Sequence, residues 1–270
     1  MIAVMGKIFF RRPYFPTHDE NLMGLEGDLQ AARKRFLEER FPNLDLLLAQ
    51  RYVWMNEWID DSKNVIEIGA GAGFSELYLN TKPWITDTVL NPWVDELVDA
   101  LSINRPDSSV DVIIASHTIH HFASPAKFFE ECSRILRPGG VVLIQEINTS
   151  LMMRFLLRVM RHEGYSYDVD VFNSSSVAND PRDPWSANCA IPELLFRDTS
   201  YFERRFNLKV EMNLLNECLL FPLSGGVIAK TKVPRLPRRL LEFLPKIDKA
   251  LISIAPSVFA LGRSVVVKRI

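Results

Sequence analysis

Val65-Ile66-Glu67-Ile68-Gly69-Ala70-Gly71-Ala72-Gly73-Phe74-Ser75-Glu76 is the stretch on which the fold turns. Four residues with three apolar side chains suit a buried strand, and the alternating glycines that follow suit a tight turn into a helix. Bare backbone at such a turn lets a ligand lie against the main chain beside a helix N-terminus. Position 74 is Phe. The dinucleotide fingerprint GxGxxG wants glycine there, so that helix and strand pack close and the pyrophosphate meets the helix dipole.

Outward from this loop the pattern repeats. Short apolar runs at Val65–Ile68, Trp84–Val89, Val110–Ala115 and Val141–Ile147 are separated by longer stretches. That rhythm predicts a parallel sheet with crossover helices. One helix is well marked: Ser124 suits its cap, Pro125 its first position, and Phe128, Phe129, Cys132, Ile135 and Leu136 form one apolar stripe before Pro138-Gly139-Gly140. A second is expected from Asn148 to Arg161. The polar stretch from His162 to Ala190 is too long for a simple connection and is expected to form a lid. Beyond it come a helix over Glu193–Phe206, a strand over Leu208–Phe221, a helix pair over Pro234–Ile254 broken at Pro245, and a closing strand, Ser264–Val267. The first sixty residues show helical spacing, interrupted at Pro42, and no strand alternation.

The expected organisation is a single α/β domain: a helical cap at 1–60, a core at 61–150, a lid and helix at 151–206, and terminal strands with a basic helical insertion at 207–270. In 270 residues, 47% apolar and 24% charged, there is enough hydrophobic side chain for a globular core. The net charge of −1 argues against a nucleic-acid binder working through an overall positive field. The charge is uneven, however. Residues 230–270 carry ten Lys/Arg against Glu242 and Asp248, a net of +8, leaving −9 elsewhere. Arg238, Arg239, Lys246 and Lys249 alternate with apolar residues, as in a helix lying on a membrane surface or a flap on the sheet. Cys132, Cys189 and Cys218 lack paired spacing, so reduced cytosolic thiols are expected, and Met1–Phe10 has too short an apolar core for a secretory signal.

Two more signals carry chemistry. Asp87 ends the second strand 18 residues after Gly69, where a carboxylate accepts from both hydroxyls of a ribose. Asp99-Ala100 stands where a third strand would end. Asp111 opens a run through Ser116, His117, His120 and His121 that leads to Leu136-Arg137-Pro138-Gly139-Gly140. His117, His120 and His121 are spaced to meet a metal, but no Cys, Asp or Glu lies at ligand spacing near them, so no metal is expected.

Taken in order, ExGxGxG, the terminal Asp, the His pair and LxPGG resemble the class I S-adenosylmethionine-dependent methyltransferases, especially the small-molecule group, over about residues 60–150. The resemblance implies a Rossmann-like, mostly parallel sheet with helices on both faces and S-adenosyl-L-methionine as cofactor. It implies that Glu67 orients the loop and the methionine ammonium region while Gly69, Gly71 and Gly73 admit the cofactor. Asp87 would hold the ribose, Asp99 the adenine amino group, and Ala100 the ring through its backbone N–H. Ser116 and His117 would face the sulfonium. The stretch between Asp87 and Asp111 is shorter than usual for the group, so the role of Asp99 presupposes a helix over Leu90–Leu97.

A general base is needed only for an acidic acceptor such as a hydroxyl, and His117 and His162 are the candidates. Trp54, Trp58, Phe155, Tyr165, Tyr167, Trp185, Phe196 and Phe202 suggest a small apolar or lipid-like acceptor. The alternatives are a nicotinamide-dependent oxidoreductase, which shares the strand, loop and acid, and a non-catalytic cofactor-binding or membrane-associated subunit.

Overall fold

A computed structural model describes residues 12–17, 27–183, 185–228 and 231–270. Met1–Phe10 and Lys230 therefore lie outside the described residues. The amino-terminal helices are α1 (Leu29–Glu39) and α2 (Pro42–Tyr52), divided where Arg40 takes a left-handed conformation, and a 3-10 turn, Val53–Glu57, follows. The central strands are β1 (Val65–Ile68), β2 (Trp84–Asp87), β3 (Glu96–Leu97), β4 (Val110–Ser116) and β5 (Leu136–Ile147), with α3 (Pro125–Ile135) between the last two. The chain continues through α4 (Leu151–Met160), the segment 161–190 where a lid is expected, α5 (Ile191–Phe196), α6 (Thr199–Phe206) and β6 (Leu208–Asn216). It closes with α7 (Leu220–Leu223), α8 (Arg238–Ile254), α9 (Pro256–Phe259) and β7 (Gly262–Arg269).

These strands form one sheet in the order β3-β2-β1-β4-β5-β7-β6. All neighbours are parallel except β7, which runs antiparallel to both β5 and β6. Alternate residues of the central strands supply two cores. Ile66, Ile113, Ile144 and Val265 face α3, whose Phe128, Phe129 and Cys132 are fully buried. Val65, Ile114, Leu143 and Val266 face α2 and α8 through Leu47, Leu48 and Leu244. Burial on both faces is why these strands read as unbroken apolar runs.

Several boundaries differ from expectation. The glycine loop leads into a 3-10 turn, Ser75–Leu77, and not a full helix. Leu90–Leu97 forms turns and the short β3, not a helix. The helix expected over Glu193–Phe206 is split at Asp198, whose side chain accepts from the N–H of Tyr201 and caps α6. The strand expected to reach Phe221 ends at Asn216, after which Glu217 has φ +53° and the Asp248 carboxylate collects the N–H groups of Cys218, Leu219 and Leu220. Pro245 does not break its helix. α8 runs through it from Arg238 to Ile254, with Leu241, Leu244 and Asp248 buried on one side. Among the described residues no helix is long and apolar enough to cross a membrane, and the three cysteines are buried and free.

Candidate active site

The loop after β1 and the carboxyl ends of β4 and β5 meet at one cavity, the place where open α/β sheets bind ligands, and Asp87 at the end of β2 stands off its wall, joined to it through Gly71. Gly69, Gly71 and Gly73 all have positive φ, at 65°, 55° and 64°, which suits glycine. The loop is held from several sides. The N–H of Gly71 donates to Asp87 Oδ2 at 2.8 Å, and Asp87 Oδ1 accepts from the N–H of Val89 at 3.0 Å. Trp93 Nε1 donates to the Gly71 carbonyl at 2.9 Å, while the Arg33 guanidinium donates to the carbonyls of Ala72 and Gly73 and stacks on Trp93.

Glu67 lies beneath this loop, with Ser75 donating to its Oε2. Its Oε1 is buried without a hydrogen-bond partner. Burial, with the negative charges of Asp87 and Glu76 close by, pushes its carboxyl up to about 8, although the Ser75 hydroxyl and the Arg33 charge pull the other way. An orphaned buried acceptor is costly, and a cationic ligand arriving above the loop would satisfy it. A Cβ added at Gly71 would find only Leu29 Cδ2, at 4.0 Å, so the space over this glycine is open. Those two features fit a ligand that carries an ammonium group and crosses the loop.

Ser116 and His117 follow on β4 and line the same cavity, as do Gly69, Gly71 and His162. His117 is held at φ +50°, unusual for a non-glycine residue, by its N–H to the Gln145 carbonyl at 2.7 Å. Its Nε2 is buried without a hydrogen-bond partner, and burial beside Arg51 holds the ring well below the usual histidine range, hence neutral. Asp99 is placed otherwise. It is exposed beyond β3, off the cavity wall, with Oδ1 accepting from the N–H of Leu101 at 2.8 Å. Ala100 beside it is buried. The helix over Leu90–Leu97 that the Asp99 role presupposes is absent, so both stay candidates only by their place just after β3.

The structure also brings in residues that no spacing pattern marked. Arg51 and Glu217 form a buried pair at 2.8 and 2.7 Å, steadied by Gln145 Nε2 on Glu217 at 3.0 Å, and Arg51 reaches the cavity wall. Tyr52, also on the wall, has its hydroxyl pushed above its ordinary range by burial and by Glu67. Glu146, fully buried at the end of β5, accepts from the N–H groups of Thr118 (2.9 Å), Ile119 (2.6 Å) and Ile147 (3.0 Å) and contacts His120 Nδ1 at 2.6 Å. Glu163 arrives from the segment that follows α4, with Oε1 3.7 Å from Nε2 of both His120 and His121. Burial works against charge on His120, but Glu146 and Glu163 outweigh it and push the ring up to about 10. A carboxylate thus stands beside the histidines after all, supplied by the fold and not by the local sequence.

Of the aromatic residues expected to receive an acceptor, only Trp185 is on the wall. Tyr165, Phe196 and Phe202 are core, and Phe155 faces outward at 53% exposure. The apolar lining comes instead from Leu48, Ile147, Met153, Leu157, Phe221 and Val227.

Comparison with known proteins agrees with this geometry. A family profile described as a methyltransferase domain matches residues 33–183. A protein of Mycolicibacterium smegmatis described as a probable S-adenosylmethionine-dependent methyltransferase is 49% identical over 43 residues, 16% of this chain and 17% of that protein. The ubiquinone biosynthesis O-methyltransferase of Caulobacter vibrioides is 31% identical over 49 residues, 18% of this chain and 19% of its own length. Each match therefore spans under a fifth of the curated relative. Among solved structures, a SAM-dependent methyltransferase from Archaeoglobus fulgidus superposes with a TM-score of 0.53 at 17% identity, covering 87% of this chain and 99% of that one. That likeness concerns the fold.

Proposed function

The chain belongs to the methyltransferase-domain family, whose methyl donor is S-adenosylmethionine, and from that premise we propose that it methylates a small, apolar or lipid-like acceptor. The observation that carries the donor assignment is the glycine loop tied to Asp87 above a buried Glu67 with one unpartnered oxygen. Glu67 would meet the methionine ammonium, Gly69, Gly71 and Gly73 would admit the cofactor against bare backbone, and Asp87 would take the ribose hydroxyls. Ser116, at the end of β4, would face the sulfonium. Asp99 and Ala100 would serve the adenine.

The bound cofactor supplies an electrophilic methyl group on a good leaving group. What remains for the protein is positioning and exclusion of water. The apolar wall from Leu48, Met153 and Leu157 does both for an apolar acceptor. His117, neutral and with its Nε2 unpartnered, and His162 are the groups on the wall that would take a proton from an acceptor hydroxyl. The Caulobacter relative is by name an O-methyltransferase, the same chemical type. Incubating the protein with isotopically methyl-labelled S-adenosylmethionine and a cell extract, then following the label by mass spectrometry, tests the assignment. Label in an apolar, hydroxyl-derived product supports it, and label confined to polar amines opposes it.

A second reading concerns the surface. Leu240, Phe243, Ile247 and Ile254 on α8 are exposed at helical spacing beside Arg238, Arg239 and Lys246, and Leu151, Phe155 and Val159 on α4 are exposed as well. The inner side of α4, Met153 and Leu157, lines the cavity. An apolar face rimmed by basic side chains suits contact with an anionic lipid surface, from which a lipid-like acceptor would reach the cavity.

A further inference from the structure

We propose that His120, His121 and Glu163 bind a divalent transition-metal ion, with an open coordination position toward the acceptor cavity. Glu163 Oε1 lies 3.7 Å from Nε2 of each histidine, longer than a hydrogen bond, and one ligand atom from each of the three residues falls within 4.8 Å of the other two. The arrangement is fixed from behind. His120 Nδ1 contacts Glu146 Oε2 at 2.6 Å, and His121 Nδ1 contacts the Ser186 carbonyl at 3.1 Å. A carboxylate and a carbonyl only accept, so both Nδ1 atoms carry hydrogen and, in a neutral ring, both Nε2 atoms present lone pairs.

With both rings neutral, two lone pairs and a carboxylate oxygen face one another. A proton on His120 Nε2 answers for one ring and leaves the lone pair of His121 pointing at the same oxygen. A cation among the three satisfies all of them. Histidines whose far nitrogens donate to a carboxylate and a backbone carbonyl are the usual outer arrangement of a metal site. Glu146, through its bonds to Thr118, Ile119 and Ile147, keeps the 3-10 turn Ile119–His121 from rotating away.

Two imidazoles and one carboxylate suit zinc or a similar borderline ion, and three protein ligands leave a position for something else. All three residues line the cavity. The open position would therefore take an oxygen of the acceptor, which narrows the acceptor to an apolar molecule carrying a hydroxyl or carbonyl group. This part rests on the methyltransferase reading; the ion site does not.

The test is calorimetric titration of the EDTA-treated 270-residue chain with zinc chloride, beside a titration with S-adenosylhomocysteine. Wild type, Glu163→Gln and His121→Ala are compared, with circular dichroism to confirm folding. One zinc per chain is expected, weakened more than about tenfold in both variants, with S-adenosylhomocysteine affinity unchanged. Zinc K-edge absorption of the wild type should show nitrogen and oxygen ligands only. No zinc uptake by a wild type that binds S-adenosylhomocysteine overturns the proposal, as do unchanged zinc affinity in Glu163→Gln, which is isosteric, or a sulfur ligand such as Cys189. Zinc uptake without S-adenosylhomocysteine binding leaves the metal site standing and removes the methyltransferase reading instead.

Discussion

The amide of Gly71 donates to the Asp87 carboxylate across 2.8 Å, so the end of β2 fixes the middle of the glycine loop. One carboxylate thereby shapes the loop and is the group proposed to take the ribose. Replacing Asp87 by Ala leaves the N–H groups of Gly71 and Val89 without their acceptor and removes the proposed partner of the ribose hydroxyls. With about 1 to 3 kcal/mol for each group left unpaired, S-adenosylhomocysteine affinity should fall tenfold or more, measured by calorimetry. Unchanged affinity removes Asp87 from the site.

The loop glycines should separate into two kinds. A Cβ at Gly69 would lie 2.1 Å from Thr118 Oγ1 and one at Gly73 would lie 2.3 Å from Trp93 Cδ1, so Gly69→Ala and Gly73→Ala should lower the melting temperature. At Gly71 the protein leaves room, and the left-handed backbone costs a side chain only about 1 to 2 kcal/mol. Gly71→Val should therefore stay folded by circular dichroism yet lose cofactor binding. Retained binding would mean that the ligand does not cross this loop.

Glu67 predicts a pH dependence. Its carboxyl, pushed up to about 8 by burial, binds a proton in the folded chain where the unfolded chain, near the ordinary carboxylate value, has released it. Stability from this group is fully present at acid pH, falls as pH rises out of the ordinary carboxylate range, and is lost once pH passes about 8. Glu67→Gln should flatten that part of the profile. Urea unfolding of both proteins between pH 5 and 9 checks it, and parallel slopes would contradict it.

The sequence made the central sheet legible because β1, β2, β4 and β5 are buried on both faces and are therefore apolar throughout. Gly69, Gly71 and Asp87 were legible for a related reason, since a bare loop and a strand-terminal acid are local features. What stayed hidden depends on residues distant in the chain. Arg33 reaches the carbonyls of Ala72 and Gly73, Arg51 pairs with Glu217, and Glu163 meets His120 and His121. No local spacing encodes such meetings. Pro245 misled in the other direction: it weakens a helix locally, but the packing of Leu241 and Leu244 against the second core carries α8 through it.

The exposed face of α8 gives a surface prediction. Arg238 is 92% exposed at its side chain, and its partner Glu242 is exposed too, so removing the two arginines 238 and 239 should leave folding and cofactor affinity nearly untouched. Co-sedimentation with anionic vesicles should weaken in the Arg238→Ser, Arg239→Ser double variant, and also in wild type as salt rises, since exposed charges are screened beyond about 8 Å at physiological ionic strength. If wild type stays in the supernatant at low salt, α8 is a flap on the sheet and no membrane contact is made.

Calorimetric titration of the wild-type chain with S-adenosylhomocysteine, and separately with NAD, tests the central claim most directly. Saturable binding of one S-adenosylhomocysteine per chain, with no heat from NAD, is the predicted result. Binding of NAD with no response to S-adenosylhomocysteine would contradict it and assign the loop over Glu67 and Asp87 to a different ligand.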